Sequence, residues 1–490
     1  FKQKTAYEIG VRLVGSEMCI RDRSFHLSWA VFLTIVLITP FSARAGNSPP
    51  NIVLIFCDDL GYSDIGCFGS EKHRTPHIDS LAKNGIKLTS FYSTCGVCTP
   101  SRSSLMTGCY PRRVNMHEDA RGGWVLFPVA FKGLNPTEIT MAEVLGAAGY
   151  KTACIGKWHL GDQAPFLPTE QGFDYYFGIP YSNDMGNHFK NRNYPPLPLL
   201  RNSTVIEEEP DQSYITKRYT EEAVNFIKEN KNRPFFIYVP HTMPHNPVFA
   251  SPEFAGKSAN GGFGDSVEEI DWSTGQILKA LKANGVDNRT LVIFTSDNGA
   301  SRAWGGSNTP LSGYKGSTME GGMRVPFVAS WPGKITADSV SDEVTSTIDL
   351  LPTFAKLTDT TGELTNEIDG HDISHILNGK RRAKSPHDAF YYYFRANLQA
   401  VRSGPWKLHF ARQQRTRGQQ EPTQLPDRLY NLDDDISESK NVAEQHPEVV
   451  AKLKELAETA RTELGDGNSK GTGQREAGRV DKPVALRKHQ

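Results

Sequence analysis

Between residues 51 and 297 the chain alternates short, wholly apolar runs with longer amphipathic stretches. Asn51-Ile52-Val53-Leu54-Ile55-Phe56, Tyr150 to Ile155, Phe235-Phe236-Ile237-Tyr238-Val239 and Leu291-Val292-Ile293-Phe294 are the apolar runs. A strand that reads as one continuous apolar block is buried on both faces, as in a parallel sheet. Between these runs the spacing predicts helices. Thr75-Pro76 opens a short one that Asn84-Gly85 closes, and Thr140-Met141-Ala142-Glu143 is a capping box whose helix ends at Gly149. Residues 217–230 and 265–283 are amphipathic at helical period. The expected fold is α/β: a large, mostly parallel sheet sandwiched by helices over residues 47–385.

Near residue 385 the pattern changes. Phe390 to Phe394 and Leu398 to Phe410 read as paired strands rich in aromatics, Tyr430-Asn431-Leu432 as a short segment, and 447–464 as a closing helix. This predicts a smaller C-terminal α+β subdomain with an antiparallel sheet over residues 386–465. Residues 466–490 are polar, Gly-bearing and basic, and are expected to be a disordered tail. At the other end, residues 1–23 carry no helical or strand period. They resemble translated sequencing-adapter sequence and are set aside as non-native. Leu27 to Thr39 is an apolar run too short for a comfortable membrane span, and it is followed by Ala43-Arg44-Ala45. Residues 24–45 therefore read as a signal peptide, with export to the periplasm, cell surface or medium.

Composition narrows the function classes. The 490 residues hold 55 Lys and Arg against 55 Asp and Glu, a formal net charge of zero that argues against a nucleic-acid footprint. Seven cysteines are too few for a disulfide scaffold, although they leave room for one or two bridges. Oligomeric state is not legible. Asn202-Ser203-Thr204 and Asn288-Arg289-Thr290 are glycosylation sequons that matter only in a eukaryotic host.

The polar clusters all fall just past predicted strands, where open α/β sheets bind ligands. Asp58 and Asp59 end the first strand; Lys157-Trp158-His159, His241 and His245, and Asp297-Asn298-Gly299 end others. Adjacent carboxylates repel unless a cation or proton separates them. Three carboxylates, one amide oxygen and an oxygen from residue 98 would make an all-oxygen shell, which suits Ca²⁺ or Mg²⁺ better than Zn²⁺. Cys98-Thr99-Pro100-Ser101-Arg102 opens a short helix, with Thr99 expected as N-cap, Pro100 at the first helical position and Gly108 at the end. Cys98 then lies where backbone N–H groups and the helix dipole favour an anion, with Arg102 one turn on. Lys315 sits in a Gly-rich loop that lacks the spacing of a P-loop. Taken singly, each cluster is also a common turn, cap or solvated loop.

Together, C-T-P-S-R at 98–102, Asp58-Asp59, Gly156 to Gly161, His245, Asp297-Asn298-Gly299 and Lys315 resemble the formylglycine-dependent sulfatase family, in their order and rough spacing. Phe173-Asp174 and Phe177-Gly178 are similar to the branch of arylsulfatase A and N-acetylgalactosamine-6-sulfatase, within the alkaline phosphatase superfamily. The resemblance runs from about Asn51 to the end of the smaller subdomain. It implies one metal ion, Ca²⁺ rather than Mg²⁺, held by Asp58, Asp59, Cys98, Asp297 and Asn298. It implies that a maturation enzyme converts Cys98 to formylglycine, whose hydrate is the nucleophile that forms a covalent sulfo-enzyme intermediate. Arg102 would stabilise the hydrate and the transferred group, and Lys157 and Lys315 would bind sulfate oxygens. His159 would assist breakdown of the intermediate; His245, with His241 as its rival, would bind sulfate or protonate the leaving alcohol. The implied activity is sulfate monoester hydrolysis, on a sulfated carbohydrate with arylsulfates also accepted. Two alternatives stand beside it: a phosphomonoester or phosphodiester hydrolase of the same superfamily, and an unconverted protein that binds sulfated glycans.

Overall fold

Among the described residues, ten strands build the main sheet. In chain order they are β1 (Asn51–Cys57), β2 (Ile86–Leu88), β3 (Lys151–Ile155), β4 (Tyr175–Gly178), β5 (Pro198–Arg201), β6 (Thr204–Glu208), β7 (Phe235–Pro240), β8 (Thr290–Ser296), β9 (Phe327–Ser330) and β10 (Ser339–Ser341). Their spatial order is β10-β2-β9-β8-β1-β7-β3-β4-β5-β6. The five central strands, β8-β1-β7-β3-β4, all run parallel, and antiparallel pairs enter only toward the two edges. The computed structural model describes residues 49–188, 192–414 and 423–488. The adapter-like segment and the signal peptide lie outside the described residues.

The continuous apolar run of β1 is explained by its two faces. Ile52, Leu54 and Phe56 join one core, with Leu145, Leu351 and Phe354; Val53, Ile55 and Cys57 join the other, with Ile78, Tyr219 and Ile277. Successive side chains alternate across a strand, so a strand covered on both sides must be apolar at every position. The helices follow their local signals: Pro76–Lys83 has Pro at its first position, and Met141–Ala147 carries the Thr140–Glu143 capping box. Ile215–Asn230 and Gly261–Ala283 are the long amphipathic pair.

Four antiparallel strands, β11 (Phe390–Phe394), β12 (Asn397–Ser403), β13 (Trp406–His409) and β14 (Arg428–Asn431), form the second sheet in that order. The run Leu398–Phe410 is thus two strands, turned at Gly404. Helix Pro447–Glu463 closes this layer through Leu453, Ala457 and Ala460. This sheet lies within the same compact unit as the first.

The expected disordered tail is not found. Gly465–Asp466 pairs with Ser469–Lys470, and Gly478–Arg479 pairs with Lys132–Gly133 more than 300 residues earlier. Arg475 forks onto Glu138 at 2.8 and 2.7 Å, and Gln163 exchanges two hydrogen bonds with the backbone of Val484. A polar segment with no apolar period cannot build a core, but it can be held by backbone pairing and a buried ion pair supplied from elsewhere in the chain. Among the described residues the six cysteines are unpaired, so the room left for bridges is not used.

Candidate active site

The C-terminal ends of β1, β3, β7 and β8 lie side by side, and each hands its next residues to one buried cluster. Asp58 and Asp59 follow β1, Lys157 and His159 follow β3, His241 and His245 follow β7, and Asp297 and Asn298 follow β8. The turn after β3 needs glycine. Gly156 has φ 142°, and a Cβ there would fall 1.9 Å from the Pro240 carbonyl oxygen. Only a residue without a side chain lets the Lys157 N–H reach that oxygen, at 2.8 Å. Asp59 and His159 both hold φ of 64°, a left-handed conformation that costs energy outside glycine and clusters at functional sites.

Cys98 begins the helix Cys98–Thr107, which Gly108 ends at φ 67°. The N-cap is Val97, not Thr99. The Thr99 hydroxyl is engaged elsewhere: it donates to the His159 carbonyl and accepts from Leu126 N–H, both at 3.1 Å. A cap assigned from sequence loses here to two tertiary hydrogen bonds that tie the helix to the loops around it.

Charges in the cluster are paired closely. Arg102 is fully buried; it donates through Nε and Nη2 to Asp297 Oδ2 at 3.2 and 2.8 Å, and through Nη1 to the Lys157 carbonyl at 2.8 Å. Lys157 Nζ contacts Asp58 Oδ2 and lies 3.2 Å from Ser182 Oγ. Lys315 Nζ lies 2.7 Å from Asp59 Oδ2, and His245 Nε2 is 3.7 Å from the same oxygen. Asn298 donates to Asp59 Oδ1 at 2.7 Å. Oxygens of Asp58 and Asp297 and the Cys98 sulfur lie within 4.8 Å of one another, as do ligand atoms of Asp58, Asp59 and His245. Apart from His159, whose ring turns to the Leu126 carbonyl, the expected site residues therefore meet in one place. His241 does not join them: it is buried against Tyr219, and neither ring nitrogen has a hydrogen-bond partner among the described residues.

Two residues absent from the sequence reading belong to this cluster. Ser182 touches Lys157, and the Asn183 side-chain oxygen lies 3.1 Å from His245 Nδ1. The Asn183 amide is oriented by donating to Gln212 at 3.0 Å and to the Pro247 carbonyl at 2.9 Å. Its oxygen must then accept, so His245 keeps a proton on Nδ1 and turns Nε2 toward Asp59. Both residues lie just past β4, and the strand-end rule that found the others applies equally to them.

The electrostatics follow from burial and charge. Burial raises the Asp58 carboxyl, but Lys157, His245, Arg102 and Lys315 outweigh it and hold it well below its usual range. Asp297 is pushed up to about 8 by burial and by Asp58, against the pull of Arg102. Burial raises the Cys98 thiol to about 11 although Lys157 and Lys315 oppose it. At neutral pH the encoded cysteine is a protonated thiol and a poor nucleophile. Burial, and then Lys157, hold His159 well below its usual value. Its Nε2 donates to the Leu126 carbonyl at 2.9 Å, leaving Nδ1 unprotonated and without a partner among the described residues.

A metal fits this donor set. Asp58 Oδ1 and Asn298 Oδ1 are buried oxygens with no hydrogen-bond partner among the described residues. Such oxygens are costly unless something electropositive reaches them. Carboxylate and amide oxygens are the ligands of a hard cation.

Comparison with known proteins agrees with the geometry. The family model described as "Sulfatase" matches residues 50–360, and that described as "C-terminal region of aryl-sulfatase" matches 385–477, past the start of the tail. Human arylsulfatase A is 39% identical over 463 residues, covering 86% of this chain and 89% of its own. N-acetylgalactosamine-6-sulfatase of Canis lupus familiaris is 37% identical, covering 78% and 75%. The crystal structure of Ps i-CgsB in complex with k-i-k-neocarrahexaose is 30% identical with a TM-score of 0.71, covering 84% and 92%. Matched in this way across both of its sheets, the chain belongs to the sulfatase family and is a hydrolase of sulfate esters.

Proposed function

We propose that this protein hydrolyses the sulfate ester of a sulfated carbohydrate, with residue 98 as the nucleophile after conversion to formylglycine. The observation that carries this reading is the position of Cys98. It lies at a helix N-terminus, beside Asp58 and Asp297, among three cations and two oxygens without partners. A buried neutral thiol is of little use there, whereas formylglycine would supply a geminal diol, one hydroxyl to attack sulfur and a second to expel sulfate. Asp58, Asp59, Asp297 and Asn298, with an oxygen of residue 98, would hold one divalent cation. Ca²⁺ fits this crowded oxygen set better than Mg²⁺, which keeps several waters; the ion would neutralise charge on the ester.

The chain's own residues account for the rest. Lys157, Lys315 and Arg102 bring positive charge to a substrate that is itself an anion, in a site where burial makes each charge count. Arg102 also fixes Asp297 and the Lys157 backbone, so it orients two neighbours at once. His159 Nδ1 is a fixed acceptor, suited to take the proton of the second hydroxyl. His245, held by Asn183, faces the leaving-group side beside Lys315 and Asp59. Carbohydrate as the substrate is supported by a relative named for an N-acetylgalactosamine sulfate and by a structural neighbour bound to a neocarrahexaose. Export is supported by the apolar run before Ala43-Arg44-Ala45.

The test is production alongside a formylglycine-generating enzyme, peptide mass spectrometry across residue 98, and 4-nitrocatechol sulfate turnover with and without chelator. The expected result is an aldehyde-bearing peptide and chelator-sensitive turnover, both lost in Cys98→Ser. An unmodified thiol without turnover, or full activity in Cys98→Ser, refutes the reading.

A further inference from the structure

The loop that carries Lys315 is flanked by two aromatic–arginine pairs that the chemistry above does not use. Trp124 lies on the backbone of Gly316, where a Cβ would meet its ring at 2.7 Å. It borders the same crevice as Val97, the residue before Cys98. Trp124 is nevertheless 44% exposed, and Tyr314, on the other side of Lys315, is 41% exposed. Each ring has a guanidinium over it: Arg395 is 5.6 Å from the Trp124 centroid, and Arg302 is 6.0 Å from that of Tyr314.

The Arg395 pair is built rather than incidental. Phe394 meets Trp124 edge-on at 5.7 Å, and Arg395 also lies 5.8 Å from the Phe394 ring. Arg395 occupies the β11–β12 turn at φ 53°, a conformation that favours Gly or Asn. Its Nε is buried without a hydrogen-bond partner among the described residues. A strained, non-glycine turn residue thus holds an unsatisfied donor next to an exposed tryptophan, beside the loop of Lys315 and the residue before Cys98.

We infer that this rim determines specificity: Trp124 and Tyr314 stack on sugar rings, while Arg395 and Arg302 bind a second anionic group, so the preferred substrate is a glycan carrying more than one sulfate. The inference rests on the reading of the site as one for sulfate esters, and deepens it. Aromatic faces suit the C–H faces of a sugar, and a guanidinium above a ring keeps its donors free for sulfate. A monosulfated arylsulfate has nothing to offer the arginines.

The test is calorimetry on full-length, calcium-loaded Cys98→Ala protein, which cannot turn substrate over, with mono- and disulfated chondroitin-type disaccharides as probes. The disulfated probe is expected to bind about tenfold more tightly, the order of one charge-assisted contact. Arg395→Gln and Trp124→Ala should each erase about that factor, Trp124→Phe should retain it, and the advantage should shrink as salt is raised. Arg395→Gln changes few atoms and carries the test if Trp124→Ala does not fold. Equal affinity for the two probes, or an unchanged preference in Arg395→Gln, overturns the inference. Turnover of 4-nitrocatechol sulfate by converted wild-type protein that shows no preference for the disulfated probe sinks this inference alone. A preference lost in the variants, with no turnover by converted protein, sinks the hydrolytic reading alone.

Discussion

Arg475→Met should release the C-terminal segment. In the native structure Arg475 donates through Nε and Nη2 to the two oxygens of Glu138, and through Nη1 to the Glu367 carbonyl at 2.9 Å. The Glu138 side chain is 2% exposed and that of Arg475 is 27% exposed. Removing one partner of a buried pair costs about 3–5 kcal/mol, because the other charge is left without compensation. Solvent at the arginine end screens part of this, so the expected loss is about 2–3 kcal/mol. This is roughly a 30- to 150-fold rise in the open population of the segment. Limited trypsinolysis reads it directly, since Arg479 is protected by pairing with Lys132. Cleavage after Arg479 should accelerate strongly in Arg475→Met and be largely restored in Arg475→Met/Glu138→Gln, where no charge is stranded. Equal cleavage rates in wild type and the single variant, or no recovery in the double variant, would show that the ion pair does not hold the tail.

Asn183→Ala removes the acceptor that holds His245 Nδ1–H, leaves a buried N–H unpaired and should lower kcat/KM for 4-nitrocatechol sulfate roughly 10- to 100-fold with little change in Tm; full activity would remove Asn183 from the positioning of His245. His387 is buried, which pulls its pKa down, but Asp349 at 2.8 Å outweighs burial and leaves the imidazole above its usual value. The stability this pair contributes is fully present below the unfolded pKa of about 6.5 and is lost as pH rises through the raised folded value. His387→Gln should therefore lower Tm more at pH 5.5 than at pH 9, and an equal loss at both would refute the assignment.

What could be read along the chain was whatever is encoded locally. The apolar runs became the central strands because burial on both faces demands apolar residues in succession. The capping box at Thr140 and the stop at Gly108 are contacts within one turn, visible in the sequence itself. The candidate aspartate and asparagine ligands stood out because each follows a strand, and parallel strands bring such ends together whatever lies between them.

Tertiary structure decided what depends on partners far away in sequence. Thr99 has the residue type of a cap, yet His159 and Leu126 claim its hydroxyl. His241 and His245 are four residues apart in one loop, and packing turns one toward Tyr219 and the other toward Asp59. Ser182 and Asn183 matter through Lys157 and His245, neither of which is near them in the chain. The tail has a composition that cannot form a core, and it is ordered by strands and a glutamate more than 300 residues upstream. The sequence by itself thus determined the parallel centre of the sheet, its layers and the list of residues at the strand ends. Which of those residues touch, and which nitrogen of a histidine is bare, came from packing, because a hydrogen bond is set by distances of a few tenths of an ångström and a linear pattern carries none.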